Sequence, residues 1–230
     1  KENEIVGLLG RSGSGKSTLL RSIAGLEPLD GGQILFGDTD ATQLSVQERR
    51  VGFVFQEPTL MPWTSVRDNV GLPLKLARVP ASQARPRIDA ALEQVGLADF
   101  ADAFPRELSG GMKMRASLAR ALVTRPGILL MDEPFAALDE ITRFRLNNDL
   151  LELWRRLNMT VVFVTHSVFE SVYLSQRVLV MTARPGRLSA EIRIDTDQRD
   201  DAFRASPAYA DCCRRVSDAL APAYTGVHAL

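Results

Sequence analysis

An α/β domain with a mostly parallel sheet, broken by a helical insertion, is the fold class that this 230-residue sequence predicts. Two observations carry the prediction. Short apolar runs recur at 5–9, 51–55, 128–131, 161–165 and 178–181, each rich in β-branched or large apolar residues and too short for a free-standing helix. Such runs read as strands of a sheet covered on both faces. Between them lie stretches of helical character at 17–26, 84–95, 111–124, 141–157 and 168–175. Strands alternating with helices specify a parallel α/β architecture.

Taken in order, the run at 5–9 leads into a glycine-rich segment that opens the helix at 17–26. The run at 51–55 ends at Gln56, the one at 128–131 ends in Asp132 and Glu133, and the one at 161–165 ends at His166. From about 62 to 125 there are helical patterns and turn residues but no convincing strand. This stretch reads as a helical subdomain inserted between two parts of the core, 1–61 and 126–193. After Arg193 the chain turns polar (Asp195, Asp197, Arg199, Asp200, Asp201), which reads as a linker, and a final helix is expected at 207–220 within a terminal region 194–230.

The bulk numbers fit one compact domain, with 45% hydrophobic residues. Lys plus Arg and Asp plus Glu are both 28, so a broad basic surface for nucleic acid is not indicated. The two cysteines, Cys212 and Cys213, are adjacent, which gives neither a disulfide framework nor metal-ligand spacing. A helix-surface or packing role is expected of them. No apolar run approaches the roughly 20 residues that cross a bilayer as a helix. The chain begins at Lys1 without an initiator Met and enters an apolar run at once, so a preceding segment is expected.

Gly10, Arg11, Ser12, Gly13, Ser14, Gly15, Lys16 and Ser17 match G-x-x-x-x-G-K-[ST], between a strand and a helix that continues with Thr18. Glycines let successive backbone N–H groups turn toward an anion, and the following helix N-terminus adds a favourable dipole. Lys16 is expected to reach the β- and γ-phosphates, and the Ser17 hydroxyl to ligate Mg²⁺. A plain glycine-rich turn is the weaker reading of so complete a motif in this context. The segment predicts binding of a nucleoside triphosphate on a P-loop NTPase core of the RecA-like type, without saying what the energy drives. Strand ends in open α/β sheets face the ligand crevice, so Asp132 and Glu133 are expected near the phosphates. Asp132 suits the Mg²⁺ side, and Glu133 suits a general base for the attacking water.

Leu108, Ser109, Gly110, Gly111 and Met112 resemble the signature motif of the ABC ATPase family, a second glycine-rich phosphate cradle at a helix N-terminus. The other family motifs follow in order. Gln56 resembles the Q-loop glutamine, which contacts Mg²⁺ and the attacking water. Ala137, Leu138 and Asp139 resemble the D-loop, and His166 resembles the switch histidine that contacts the γ-phosphate. The resemblance covers the chain from Ile5 to about Leu188. It implies ATP and Mg²⁺ as ligands, with Lys16, Gln56, Glu133 and His166 as catalytic residues and Ser17, Gln56 and Asp132 at the metal. It also implies a head-to-tail pair of cassettes, in which the signature of one closes over ATP held by the other. Two positions depart from the family pattern, Met112 where Gln is frequent and Ala137 where Ser is common, and neither removes a catalytic group. The aromatic that stacks on adenine is not among residues 1–9, so base selectivity is not read here.

Pro58, Thr59, Leu60, Met61, Pro62 and Trp63 follow Gln56 and resemble the nitrate/sulfonate/taurine group of bacterial importer ATPases, as do Met112 and the Ala183-Arg184-Pro185-Gly186-Arg187 segment. The resemblance implies a cassette at the cytoplasmic face of the inner (plasma) membrane, held there by permease subunits. It implies a second ATP-binding subunit as partner and, indirectly, a solute-binding protein that delivers a small anion or organosulfur compound. Leu60–Trp63 is expected to dock the permease rather than only to pack locally. The alternative is an ABC ATPase that acts on nucleic acid or ribosomes. Such proteins usually carry two cassettes or a long coiled coil, and this chain has one cassette, no heptad run and no net charge. A small-molecule kinase is disfavoured by the signature, and a silent cassette by Lys16, Glu133 and His166.

Overall fold

The computed structural model describes residues 3–222 apart from 184 and 197. Arg184 and Asp197, both used in the sequence reading, therefore lie outside the described residues. The chain begins β1 (Ile5–Gly10), α1 (Lys16–Ala24), β2 (Leu35–Phe36), β3 (Thr39–Asp40), α2 (Val46–Arg49) and β4 (Val51–Val54). Three helices then follow without a strand, α3 (Val66–Leu76), α4 (Ala81–Gln94) and α5 (Gly110–Leu122). The chain returns to alternation with β5 (Ile128–Asp132), α6 (Glu140–Leu157), β6 (Thr160–Thr165), α7 (Val168–Leu174), β7 (Arg177–Met181) and β8 (Leu188–Arg193). It closes with α8 (Asp201–Arg204) and α9 (Pro207–Leu220).

Six strands form one sheet in the order β4-β5-β6-β1-β7-β8, parallel except for the antiparallel edge strand β8. The apolar runs form strands because their side chains serve both faces in alternation. Leu9, Leu129, Met131, Val161 and Phe163 belong to the larger core beneath α5, α6 and α7. Their neighbours Leu8, Leu130 and Val164 point the other way, onto Leu20 and Ala24 of α1. Each fully buried Leu here contributes about 1.5–3 kcal/mol relative to exposure.

Three strands were not anticipated. The strands β2 and β3 are two residues each, too short to show a period, and pair antiparallel around Gly37 and Asp38. The edge strand β8 has one solvent face, so its pattern LSAEIR lacks the continuous apolar run of the inner strands.

The region after Arg193 is not the free linker expected. Ile194, Arg199 and Phe203 are all buried. Two of the charges there serve helix ends. Arg199 Nη1 donates to the carbonyls of Val172 (3.1 Å) and Tyr173 (2.9 Å) in the last turn of α7, and Nη2 to Ile194 (3.2 Å). Asp200 caps α8 by accepting from the Phe203 N–H at 2.8 Å. Cys212 is half-buried and Cys213 buried on α9, both as free thiols.

Candidate active site

Because β1, β4, β5 and β6 run parallel, their carboxyl ends share one edge of the sheet, and the loop after β1, Gln56, Asp132–Glu133 and His166 all leave from that edge. Within the loop, Gly13 (φ 79°) and Gly15 (φ 86°) are left-handed, and a Cβ at either would touch nothing within 4 Å. Backbone conformation, rather than space, is what calls for glycine at these two positions. Gly10 answers a different need, since a Cβ there would lie 2.7 Å from the Met181 carbonyl of β7.

The helix α1 starts with Gly15 as N-cap and no side-chain cap, whereas α3, α5, α6 and α9 each carry a Ser or Asp cap. Its first-turn N–H groups and its dipole thus face the loop opening, the arrangement that binds phosphate oxygens. Lys16 is buried, with Nζ donating to the carbonyls of Gly10 (2.8 Å) and Arg11 (2.9 Å) and lying 3.4 Å from Ser14 Oγ. Burial pushes its pKa below the ordinary lysine value, and the Glu133 and Asp132 carboxylates act in the other direction.

The Ser17 hydroxyl donates to Asp132 Oδ1 at 2.7 Å. Arg21, one turn along α1, brings Nη2 to 4.0 Å from Asp132 Oδ2. The next residue, Glu133, has left-handed backbone (φ 49°), uncommon for a residue with a side chain, and its N–H is held by the Val164 carbonyl at 3.1 Å. In that position Glu133 Oε1 lies 2.5 Å from His166 Nε2. The residues on either side of His166 are themselves tied down. The Ser167 N–H donates to Thr165 Oγ1 (3.0 Å), the Thr165 hydroxyl donates to Glu170, and Ser167 caps α7 through the Glu170 N–H (3.2 Å). Burial raises the Glu170 pKa, against the bond from Thr165 and the Arg143 charge.

The structure thus gathers Lys16, Ser17, Asp132, Glu133 and His166. It leaves other expected residues apart. Gln56 is exposed and makes no hydrogen bond to Ser17, Asp132 or Glu133, although it stands as far beyond the pair Val54–Met131 as Glu133 does. Ser109 caps α5 by accepting from the Met112 N–H at 3.3 Å, so the helix opens at Gly110 rather than at Gly111. Gly111 is required within the chain itself, because a Cβ there would lie 2.8 Å from Thr142 Cγ2 on α6. Asp139 caps α6 by accepting from the Thr142 N–H at 2.9 Å, which lowers its pKa.

Two residues overlooked in the sequence shape the segment after Gln56. Arg120 of α5 donates to the carbonyls of Pro58 and Thr59 and to Thr59 Oγ1, each at 2.8 Å. Asn69, fully buried, accepts from the Met61 N–H (2.7 Å) and donates to Thr64 Oγ1 (2.9 Å) and the Ser65 carbonyl (3.0 Å). Between these anchors Trp63 stands 74% exposed. An Asn inside the apolar stripe of Val66 and Val70 was the one available signal.

A phosphate loop at the carboxyl edge of an open, mostly parallel sheet, with two carboxylates at the end of β5 on the same edge, defines a P-loop nucleoside triphosphatase. The chain matches the ABC transporter family over residues 1–136 and belongs to that family, as an ATP-binding and ATP-hydrolysing subunit. A taurine import ATP-binding protein of Rhizobium johnstonii is 47% identical over 216 residues, covering 91% of this chain and 81% of the relative. An aliphatic sulfonates import ATP-binding protein of Mycobacterium avium is 49% identical over 196 residues, covering 85% and 73%. Among solved structures, the dimeric post-hydrolysis state of the cassette MJ0796 bound to ADP and Pi matches with a TM-score of 0.73 at 32% identity, covering 85% of this chain and 88% of that one. The reading as an ATPase of nucleic acid or ribosomes finds no support in these likenesses. Among the described residues no helix is long and apolar enough to cross a membrane.

Proposed function

We propose that two copies of this chain bind MgATP head to tail and drive a permease that imports a small organosulfur solute, of the taurine or aliphatic sulfonate class. The observation that carries the hydrolytic part is the 2.5 Å contact between Glu133 and His166 beside the 2.7 Å contact between Ser17 and Asp132. Glu133 takes a proton from the attacking water, and its left-handed backbone and His166 hold the carboxylate toward the phosphates. His166 contacts the γ-phosphate, and Lys16 leaves its carbonyl partners to neutralise the β- and γ-phosphates. The N–H groups of residues 10–18 hold the remaining phosphate oxygens. Mg²⁺, when bound, supplies charge neutralisation at the phosphates. The Ser17 hydroxyl and the Asp132 carboxylate, two hard oxygens already converging, suit that ion, and Gln56 completes its surroundings once the segment closes.

The two-copy arrangement draws support from Ser109 and Gly110, which are exposed and stand apart from the chain's own phosphate loop. A second copy supplies them, with Gly111 and Asp139, to complete each site. Trp63, exposed on its anchored segment, docks the permease from the cytoplasmic face of the inner membrane, and a solute-binding protein delivers the cargo outside. The solute class rests on the two import relatives and on the segment at Leu60–Trp63.

The test is Glu133→Gln, weighed by light scattering with and without MgATP. Loss of the base is expected to slow hydrolysis by about 100-fold or more and to leave a dimer that persists in MgATP. Undiminished hydrolysis removes Glu133 from its role, and a monomer with ATP demonstrably bound refutes the two-copy site.

A further inference from the structure

The segment that joins β7 to β8 passes beside the phosphate loop, and the scheme above gives it no part. Its residues Ala183, Pro185, Gly186 and Arg187 entered the sequence reading only as a likeness to one group of importer ATPases. A Cβ added to Gly186 would overlap the Ser14 carbonyl oxygen and lie 3.3 Å from the carbon of that carbonyl. Gly186 is not one of the left-handed glycines, so a side chain suits its backbone and only the approach to Ser14 forbids one. A second close approach lies at the start of the loop. Gly10 is paired with Met181 in the register of β1 and β7, and a Cβ on Gly10 would come 2.7 Å from the Met181 carbonyl. The end of β7 and the segment after it thus meet the loop backbone at Gly10 and again at Ser14.

Ser14 is the residue of the loop where such a contact counts. It is buried, its N–H donates to the Arg11 carbonyl at 3.2 Å, and its Oγ lies 3.4 Å from Lys16 Nζ. Its carbonyl belongs to the same peptide unit as the N–H of Gly15, the N-cap of α1. A trans peptide points its N–H opposite its C=O, so whatever fixes the Ser14 carbonyl also fixes the direction of the Gly15 N–H. The flanking residues Gly13 and Gly15 are left-handed, and a Cβ on either would meet nothing within 4 Å. Glycine lets the loop take this shape but does not hold it there. The β7–β8 segment is firm enough to do so. The Thr182 N–H donates to the Arg187 carbonyl at 2.9 Å, and the Thr182 hydroxyl donates to the Pro185 carbonyl (3.1 Å) and accepts from the Arg187 N–H (3.2 Å).

We propose that Gly186 is a positioning residue for nucleotide binding: the β7–β8 segment braces the Ser14–Gly15 peptide from outside and so sets the affinity for the phosphates of ATP. The brace acts on binding and leaves the chemical step alone. Glu133 and His166 leave from the ends of β5 and β6, whereas the segment follows β7, on the other side of β1. An interaction of this kind serves ground state and transition state equally, so its loss raises KM and spares kcat. ATP and ADP both carry the β-phosphate that the loop N–H groups hold, so both depend on the brace.

The test is Gly186→Ala, titrated with ATP and with ADP in the presence of Mg²⁺ by calorimetry on the full chain. Both nucleotides are expected to bind about tenfold more weakly, the added methyl forcing the segment and the loop apart. In ATPase assays KM for ATP is expected to rise about tenfold and kcat to stay within about twofold. Thr182→Val keeps Gly186 but removes the hydroxyl that ties the segment together, and it is expected to weaken both nucleotides about threefold. Thr182→Ser keeps the hydroxyl and is expected to bind like the parent. A glycine needed for packing alone would lower the melting temperature and leave nucleotide affinity as it was. Parental affinity in a folded Gly186→Ala therefore overturns the brace, because the segment has then retreated without moving the loop. A fall in kcat with KM unchanged, or a loss for ATP that spares ADP, overturns it as well. If Gly186→Ala does not fold, Thr182→Val decides, and parental affinity there overturns the proposal. Titration needs one folded chain and no permease, so failure of the two-copy arrangement or of the solute class would leave this result standing.

Discussion

Gly111→Ala separates what the chain needs from what a second copy needs. The added Cβ would lie 2.8 Å from Thr142 Cγ2 and 4.0 Å from Leu146 Cδ1. Only the first distance forces a shift. Thr142 sits in the first turn of α6 with its N–H tied to the Asp139 cap at 2.9 Å, so the backbone there has little room to retreat. Overpacking of this kind costs about 1–3 kcal/mol. Replacing Gly by Ala within a helix gains about 0.5–1 kcal/mol in the other direction. The net expectation is destabilisation by about 1 kcal/mol, read as a fall in melting temperature of about 2–4 °C for a chain of this size. Thr142→Ser deletes the offending methyl but keeps the backbone cap. In that background Gly111→Ala is expected to become stabilising, giving a coupling energy of about 2 kcal/mol in the double-mutant cycle. A coupling energy near zero would refute the steric account. Gly110→Ala is the control, because its Cβ meets only Leu138 Cδ2 at an ordinary 3.4 Å. Its fold is expected to survive while ATP-driven dimerisation suffers.

Two further predictions concern parts that hold the site in place. Arg120→Ala leaves the carbonyls of Pro58 and Thr59 without their donor and is expected to cost about 1–3 kcal/mol in urea unfolding. It is also expected to shift the fluorescence of Trp63, with Arg120→Lys partly restoring both; unaltered Trp63 emission would count against Arg120 as the anchor. Glu4 tests linkage to pH. Burial raises its pKa, but the forked bonds from Arg177 (2.5 and 3.0 Å) outweigh burial and hold it below its ordinary 4.5. A carboxyl whose folded pKa is depressed stabilises the fold above its unfolded value, and that stability is lost as pH falls through the folded value. Urea midpoints are therefore expected to drop below about pH 4.5, and Glu4→Gln to flatten that acid limb; an unchanged limb would remove Glu4 from the account.

What the sequence made legible is whatever a strand end exposes. The runs ending at Leu9, Met131 and Thr165 are apolar strands, and each delivers the segment that follows it to the same edge. Lys16, Ser17, Asp132, Glu133 and His166 could thus be read in advance. The contacts that fix them could not. The left-handed φ of Glu133 has no local mark in Asp132-Glu133-Pro134, and Glu170 touches Thr165 only because α7 folds back on β6. Arg49 is a plainer case. Nothing in the sequence marks it, yet it is buried and donates to the carbonyls of Ser22 (2.6 Å) and Ile23 (2.8 Å) near the end of α1. The hairpin of β2 and β3 did carry a signal, the Gly37-Asp38 pair, and two residues on each side were too few to make it count. Gly111 looked like a phosphate cradle, but its sequence gave no hint that Thr142 would demand the same residue.

The uncapped start of α1 makes the nucleotide a structural component as well as a fuel. A ligand that binds the folded chain and not the unfolded one adds about 2.7 kcal/mol at a hundred times its dissociation constant. That increment is comparable to the cost of most single substitutions. Cassettes weakened elsewhere, in α9 or in the β2–β3 hairpin, should therefore stay folded in an energy-replete cell and be lost first when ATP falls. Under starvation, the abundance of the transporter would follow the supply of the molecule it consumes.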